Sequence, residues 1–264
     1  MTKYLYFPSI FILTILVVFY LGCTNPNQPT RSILTNMSGK GSPESLKFTG
    51  LYKNYHPDGY LYSETNYKNG IKDGPAKKYY ADGKTHTTMY YSNGLLSDTS
   101  AWYYKSGKPY RITPYLNGHA NGMQQKYYDD ENIQAVIPFS NGHRKSGLEE
   151  YDQNHKLVSE YPDIVFFTTD YYRPSQRVFL DIQLDNKSKN VKFYFGTLHN
   201  QVFYPDSLRE IYTINSVGKL VFVRKSGYSN KKTLNIIALY LTPMGNNKIL
   251  QKEYNIPYKD LEIK

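Results

Sequence analysis

One cysteine, Cys23, supplies all the thiol chemistry of this 264-residue chain. A disulfide framework, a cysteine-based zinc site and a CxxC redox pair are therefore excluded. Charge is sparse too. Asp, Glu, Lys and Arg make up 20% of the residues, and no block of five or more Lys/Arg occurs. Aromatics reach 16%, which excludes a wholly disordered chain. Mean hydropathy is -0.60, which excludes a multi-span membrane protein. HExxH, GxSxG, Walker A and GxGxxG are all missing. No catalytic residue, metal ligand or cofactor is expected from motif or spacing. What the chain has in excess is tyrosine, with 29 copies against 12 Phe and a single Trp.

Residues 1–22 have the form of a targeting segment. Lys3 gives a short positive start, and Ile10 to Leu21 is apolar or aromatic except for Thr14. Such a run is short for a membrane span and suits the apolar region of a signal peptide. The ending Tyr20-Leu21-Gly22-Cys23 resembles a bacterial lipobox. That resemblance implies lipidation of Cys23, a lipid-anchored place in the bacterial cell envelope, with the outer membrane expected, and the membrane itself as a partner. Gly22 meets the need for a small residue before the cysteine, while Leu21 stands one place nearer to it than is usual. The formal charge of +10 suits an anionic envelope component. An envelope address argues against nucleic acid. Residues 23–49 lack apolar periodicity and are expected to be a flexible tether.

From Leu51 onward the chain repeats itself. Tyr67-Lys-Asn-Gly70, Tyr91-Ser-Asn-Gly94, Tyr115-Leu-Asn-Gly118 and Phe139-Ser-Asn-Gly142 recur every 24 residues. A second element keeps the same period, in Tyr79-Tyr80-Ala-Asp-Gly83, Tyr103-Tyr104-Lys-Ser-Gly107 and Tyr127-Tyr128-Asp-Asp-Glu131. Self-similarity of this kind marks a repeat architecture. Two strands and two turns fill the period. Asp82-Gly83 and its equivalents suit two-residue hairpin turns, with longer loops expected at the Asn-Gly ends. That register pairs Tyr80 with Thr85 and Tyr79 with His86. It also places Ala76, Lys78, Thr87, Met89 and Tyr91 on one face, and Tyr79, Lys77, Thr88 and Tyr90 on the other.

The pattern from Tyr67 to Gly83 is similar to the MORN-like repeats of bacterial YwqK-type proteins, which are often labelled antitoxin components. The resemblance implies a β-hairpin array over residues 50–160 and carries no catalytic residues with it. Asp98, Ser146, Glu131 and His155 stand where the pattern has Gly, so the outer copies are expected to be irregular or to act as caps. Two aromatic columns follow from the period: Tyr67, Tyr91, Tyr115 and Phe139, and Tyr79, Tyr103, Tyr127 and Tyr151. With Trp102, whose counterpart one repeat earlier is Lys78, they form the candidate binding surface for a protein or glycan. The same tyrosines also suit plain cross-strand stacking.

After Tyr161-Pro162 the period stops. Ile164 to Thr169, Val178 to Leu184, Val191 to Phe195, Leu220 to Val223, Leu234 to Leu241 and Lys248 to Tyr254 read as strands. The fold class is therefore all-β. A hairpin-repeat array leads into a C-terminal β-sandwich over residues 161–264, Ig-like on strand count. His119 and His143 occupy equivalent loop positions two strands apart, about 9–10 Å, too far for one metal. Asp129, Asp130 and Glu131 suit a turn. Glu149 and Glu150 are adjacent on a strand, so they point to opposite faces and make no acid–base pair. These features support a non-catalytic envelope protein that binds or scaffolds another envelope component, protein or glycan. The alternatives are an immunity or antitoxin-like protein and a hydrolase of envelope polymers.

Overall fold

The computed structural model describes residues 47–227 and 233–264. The signal-peptide and Cys23 lipidation readings lie outside the described residues, as do most of the tether and residues 228–232. The described chain is nearly all β, built from antiparallel hairpin strands.

The repeat region forms one sheet of β1 (Gly50–Tyr55), β2 (Leu61–Lys68), β3 (Ile71–Tyr79), β4 (Thr85–Ser92), β5 (Leu95–Tyr103), β6 (Pro109–Leu116), β7 (His119–Ala120), β8 (Gly122–Tyr127), β9 (Ile133–Ser140), β10 (His143–Arg144) and β11 (Glu149–Glu150). Each long strand pairs with the next in sequence, apart from the short β7, which pairs with β6 beside β8; β10 and β11 both pair with β9.

The two kinds of turn have loop lengths opposite to those expected. Lys68 pairs with Ile71 and Ser92 with Leu95, so each Asn-Gly pair is itself a two-residue loop. Both residues have positive φ, 48° and 84° at Asn93 and Gly94, as the type I′ turn demands. At the Asp-Gly end Tyr80 N–H donates to Lys84 O at 2.8 Å and Gly83 N–H to Tyr80 O at 3.0 Å. That closes a three-residue loop with a single left-handed residue, Gly83, at φ 84°. Tyr80 therefore faces Lys84 rather than Thr85, and Tyr79 pairs with Thr85 rather than His86. His86 is left over as a bulge, and beyond it Lys78 pairs with Thr87 and Ala76 with Met89. The bulge absorbs the extra loop residue, so the strand bodies keep the expected register and faces. Tyr62, Tyr110 and Gln134 are the bulged residues of the equivalent hairpins.

The outer copies are regular at this turn, contrary to expectation. Glu131 and His155 hold φ of 73° and 61° in place of glycine. The hairpin hydrogen bonds recur unchanged, from Glu131 N–H to Tyr128 O and from His155 N–H to Asp152 O. Neighbouring repeats are also stitched at both ends. The turn glycines Gly70, Gly94, Gly118 and Gly142 each donate N–H to a backbone oxygen of the preceding copy at 2.8 Å. At the opposite end the hydroxyls of Tyr80, Tyr104 and Tyr128 donate to the carbonyls of Tyr103, Tyr127 and Tyr151 at 2.5, 2.7 and 2.8 Å.

The C-terminal region has β12 (Ile164–Tyr171), a single helical turn α1 (Tyr172–Ser175), β13 (Arg177–Leu184), β14 (Val191–Phe195), β15 (Arg209–Glu210), β16 (Thr213–Ile214), β17 (Val217–Arg224), β18 (Thr233–Leu241), β19 (Asn247–Asn255) and β20 (Leu261–Ile263). One sheet runs β12-β13-β17-β16 with β20 beside β17, and the other β15-β14-β18-β19. Alternate residues of β13, from Val178 to Leu184, share one fully buried core with Phe193, Phe222, Ile236 and Ala238. Both sheets contribute to it. Each such large side chain contributes about 1.5–3 kcal/mol on burial. The repeat sheet has one small buried cluster, Ala135, Ile137 and Leu148. Elsewhere it relies on cross-strand pairs of roughly 0.2–1 kcal/mol each. The described residues belong to one compact unit. Its two parts meet where Lys145 bridges Val202 and Phe203 N–H donates to Arg144 O at 2.8 Å.

Candidate functional site

Strand alternation puts the two aromatic columns on opposite faces of the repeat sheet, so they do not form one surface. Tyr67, Tyr91, Tyr115 and Phe139 share the inner face with the small buried residues Ala76, Thr87, Ser100 and Thr113. Tyr67 is itself buried, edge-on to Tyr52 at 6.2 Å. Tyr91 and Tyr115 are half-buried neighbours. Tyr79, Tyr103, Tyr127 and Tyr151 lie on the outer face, where their hydroxyls meet Glu64, Thr88, Gln125 and Glu149. That column is engaged locally, strand by strand.

Trp102 stands in the middle of the inner face. Register places Lys78, Thr87, Trp102, Arg111, Lys126, Ala135 and Glu150 in a single row across successive strands. Residues in such a row share a face and touch their neighbours. Arg111 lies over the Trp102 ring with its guanidinium carbon 4.0 Å from the centroid, a cation–π contact of about 0.5–2 kcal/mol. Lys126 is directly opposite Arg111. Arg144, opposite Phe139 on the same face, covers that ring at 5.3 Å. Burial presses the Lys126 ammonium below its ordinary range, and Arg111 and Arg144 push the same way against Glu150. Burial also lowers Arg144.

The compensation is incomplete. Arg111 Nε and Arg144 Nη1 are buried without a hydrogen-bond partner, and among the described residues neither guanidinium has an ion pair. Leaving such a donor unmet costs about 1–3 kcal/mol, more where the group is charged. Glu150, 1% exposed, is the acid of the row, but its oxygens are taken. Oε1 accepts from Thr242 Oγ1 and Asn246 Nδ2, each at 2.7 Å, and Oε2 accepts from Tyr161 at 3.1 Å. Asn246 Oδ1 in turn accepts from Lys126 Nζ at 2.7 Å. The network ties Lys126 and Glu150 to the C-terminal part and leaves both arginines outside it.

Arg111, Lys126 and Arg144 were not marked by any motif. The signal available was departure from the repeat: Thr87 and Ala135 occupy the positions equivalent to Arg111 one copy before and after it. Among the remaining candidates, His143 packs against Tyr204 with ring centroids 4.6 Å apart and planes tilted by 57°, and His119 is exposed. Asp130 caps its own turn by accepting from Asn132 N–H at 2.9 Å. Glu149 is exposed and Glu150 buried, on opposite faces as alternation requires. A cavity of about 540 Å³ lies beside Glu150, lined also by Glu160, Tyr161, Asp185, Tyr240 and Met244.

The MORN repeat variant family matches residues 48–69 and 72–93. The first match covers the hairpin β1–β2 and the second covers β3–β4 except for Ile71, and each ends at the Asn of an Asn-Gly turn. No curated protein matches the chain. The hairpins β5–β6 and β8–β9 continue the matched geometry beyond the matched residues. The first half of the array is thus similar in sequence to MORN repeat variants, and the second half follows it in backbone.

Proposed function

We propose that this chain is a non-catalytic, lipid-anchored protein of the bacterial cell envelope, related to the YwqK-type repeat proteins, that binds another envelope component through the inner face of its repeat sheet. The observation that carries the proposal is the state of that face. Among the described residues no buried hydrophobic cluster forms on β1–β6. A floor of small residues lies between half-buried Tyr91, Tyr115 and Trp102, with Arg111 and Arg144, which form no ion pair among the described residues. Aromatic rings beside unpaired guanidinium groups are the usual material of a contact surface. The lipobox resemblance at Cys23 supplies the envelope address. Glu150, with its oxygens already engaged by three donors, gives no support to acid–base chemistry in the adjoining cavity.

The test has two arms. The full chain is expected to enter the detergent phase on phase partition, and Cys23→Ala to remain in the aqueous phase. The lipidated chain, used as bait on detergent-solubilised envelopes, should retain a stoichiometric partner that a Tyr91→Ser, Tyr115→Ser variant loses while circular dichroism stays unchanged. Wild-type chain in the aqueous phase defeats the anchor. A partner kept equally by the variant defeats the inner face as the binding surface.

A further inference from the structure

We infer that the cavity beside Glu150 is a binding site for a protonated amine carried on an apolar stem. This site is separate from the inner-face surface, with which it shares only Glu150. Three segments enclose it. Residues 158–162 lead out of the repeat sheet, Asp185 and Asn186 belong to the β13–β14 turn, and Tyr240, Pro243 and Met244 come from the end of β18 and the turn after it. Hydrogen bonds hold these segments together. Asp185 N–H donates to Asp163 O and Leu241 N–H to Asn190 O, both at 2.9 Å. Tyr161 Oη donates to Glu150 Oε2 at 3.1 Å, and Thr242 Oγ1 to Glu150 Oε1 at 2.7 Å. At about 540 Å³ the enclosed space has the size of a small-molecule site.

The lining selects a cation. The chain has 32 Lys and Arg against 22 Asp and Glu, yet three of the ten lining residues are acids and none is Lys or Arg. Glu150 is already engaged by Thr242, Asn246 and Tyr161, and Asn246 links it to Lys126. Glu160 and Asp185 are not engaged. Among the described residues neither carboxylate has an ion pair or a hydrogen bond. Exposed acids alone are ordinary, and Tyr240 is what makes the cavity a site. It is 4% exposed and its ring belongs to the sandwich core. Its hydroxyl, unlike that of Tyr161, has no hydrogen-bond partner among the described residues. A buried hydroxyl is normally paired, and the cavity is the space this one opens on. Val158, Pro162, Pro243 and Met244 add apolar walls. Carboxylates and a hydroxyl oxygen accept N–H donors, while the walls take a hydrocarbon stem. An anion would meet two unpaired carboxylates, and a purely apolar ligand would leave the Tyr240 hydroxyl unmet.

Calorimetric titration of the full chain in neutral detergent micelles with n-butylamine tests the site, with 1-butanol as the same stem without the charge. One amine per chain is expected, with a Kd of ~1 mM and at least ~10-fold tighter than 1-butanol. That comparison uses the wild-type chain alone and is independent of variant folding. Glu160→Gln and Asp185→Asn, both at exposed positions, should each weaken butylamine at least ~3-fold. Tyr240→Phe, which keeps the ring in the core, should do the same. Glu253→Gln, an exposed acid outside the cavity, should not. Nα-acetyl-lysine methylamide at least ~10-fold tighter than butylamine identifies a lysine side chain of a polypeptide as the source, and equal or weaker binding identifies a free amine. 1-Butanol as tight as butylamine, no saturation by ~30 mM amine, or unchanged binding in all three cavity variants overturns the site. Loss of the envelope partner with Tyr91 and Tyr115 is read separately, so the inner face stands or falls without regard to the amine.

Discussion

Asn246 lies 96 residues from Glu150 in sequence and 2.7 Å from it in space, donating Nδ2 to Glu150 Oε1 while its own Oδ1 accepts from Lys126. One amide thus separates a buried carboxylate from an ammonium and satisfies both. Removing it exposes two charges to a low-dielectric setting at once. Asn246→Ala is expected to destabilise the chain by about 3 kcal/mol. Urea denaturation should show it as a lower midpoint, and a loss below about 1 kcal/mol would mean that water replaces the amide.

The hydroxyls of Tyr80, Tyr104 and Tyr128 cross from one hairpin to the next, whereas that of Tyr91 reaches only Met89 Sδ at 3.7 Å. Each Tyr→Phe change in the first set should cost about 1 kcal/mol. The three sites lie two strands apart, so the triple variant should lose about 3 kcal/mol, near the sum of the singles. Tyr91→Phe should cost under ~0.5 kcal/mol. The Tyr91 hydroxyl can then be removed for binding measurements without unfolding the array. Equal losses at Tyr91 and Tyr128 in the same urea series would refute the distinction.

Glu131 sits at φ 73° in a turn where three other copies have glycine. A left-handed conformation costs a side-chain-bearing residue about 1–2 kcal/mol. Glycine gives back roughly 0.5–1 kcal/mol of that in unfolded-chain entropy. Its partner Lys108, at 3.6 Å on the surface, contributes little. Glu131→Gly should therefore raise stability by about 0.5–1 kcal/mol. Gly83→Ala, where an added Cβ meets nothing within 4 Å, should lower it by about 1 kcal/mol through the backbone alone. A destabilised Glu131→Gly would mean that its turn follows a different rule from that at Gly83.

These turns show how much was legible in the sequence. The 24-residue period and strand alternation were enough to pair Lys77 with Thr88 and to put Tyr79 and Tyr91 on opposite faces. The six long strands after Ile164 were legible from apolar alternation. The loop lengths were not, because Asp-Gly and Asn-Gly both tolerate positive φ, and only the hydrogen bonds around Tyr80 separate a three-residue loop from a two-residue one. The conformation at Glu131 was equally hidden, since the neighbouring hairpins impose a backbone that the residue itself disfavours. The site was legible only in part. Trp102 broke the repeat and drew notice, but its partner Arg111 depends on cross-strand register. The link from Glu150 to Asn246 depends on how the C-terminal part docks, which no local pattern encodes.

Tyr79 gives the fold a measurable alkaline limit. Burial and then its hydrogen bond to Glu64, 2.8 Å long, push its hydroxyl from the ordinary 10.0 up to about 12. Between those values the folded chain keeps the proton and the unfolded chain gives it up, so the unfolded state binds fewer protons and stability falls as pH rises. The contribution is whole below pH 10 and is lost by about pH 12. Tyr79→Phe has no proton to lose there. Its stability should be lower than wild type at neutral pH and should decline less steeply above pH 10. Tyr161, held above its usual range by burial and by Glu150, is common to both proteins and cancels in the comparison. Urea midpoints measured at several pH values across this window should converge for the two chains. Parallel curves would show that the Tyr79–Glu64 bond does not persist in solution, and the outer column would then be free for the contacts proposed for the inner face.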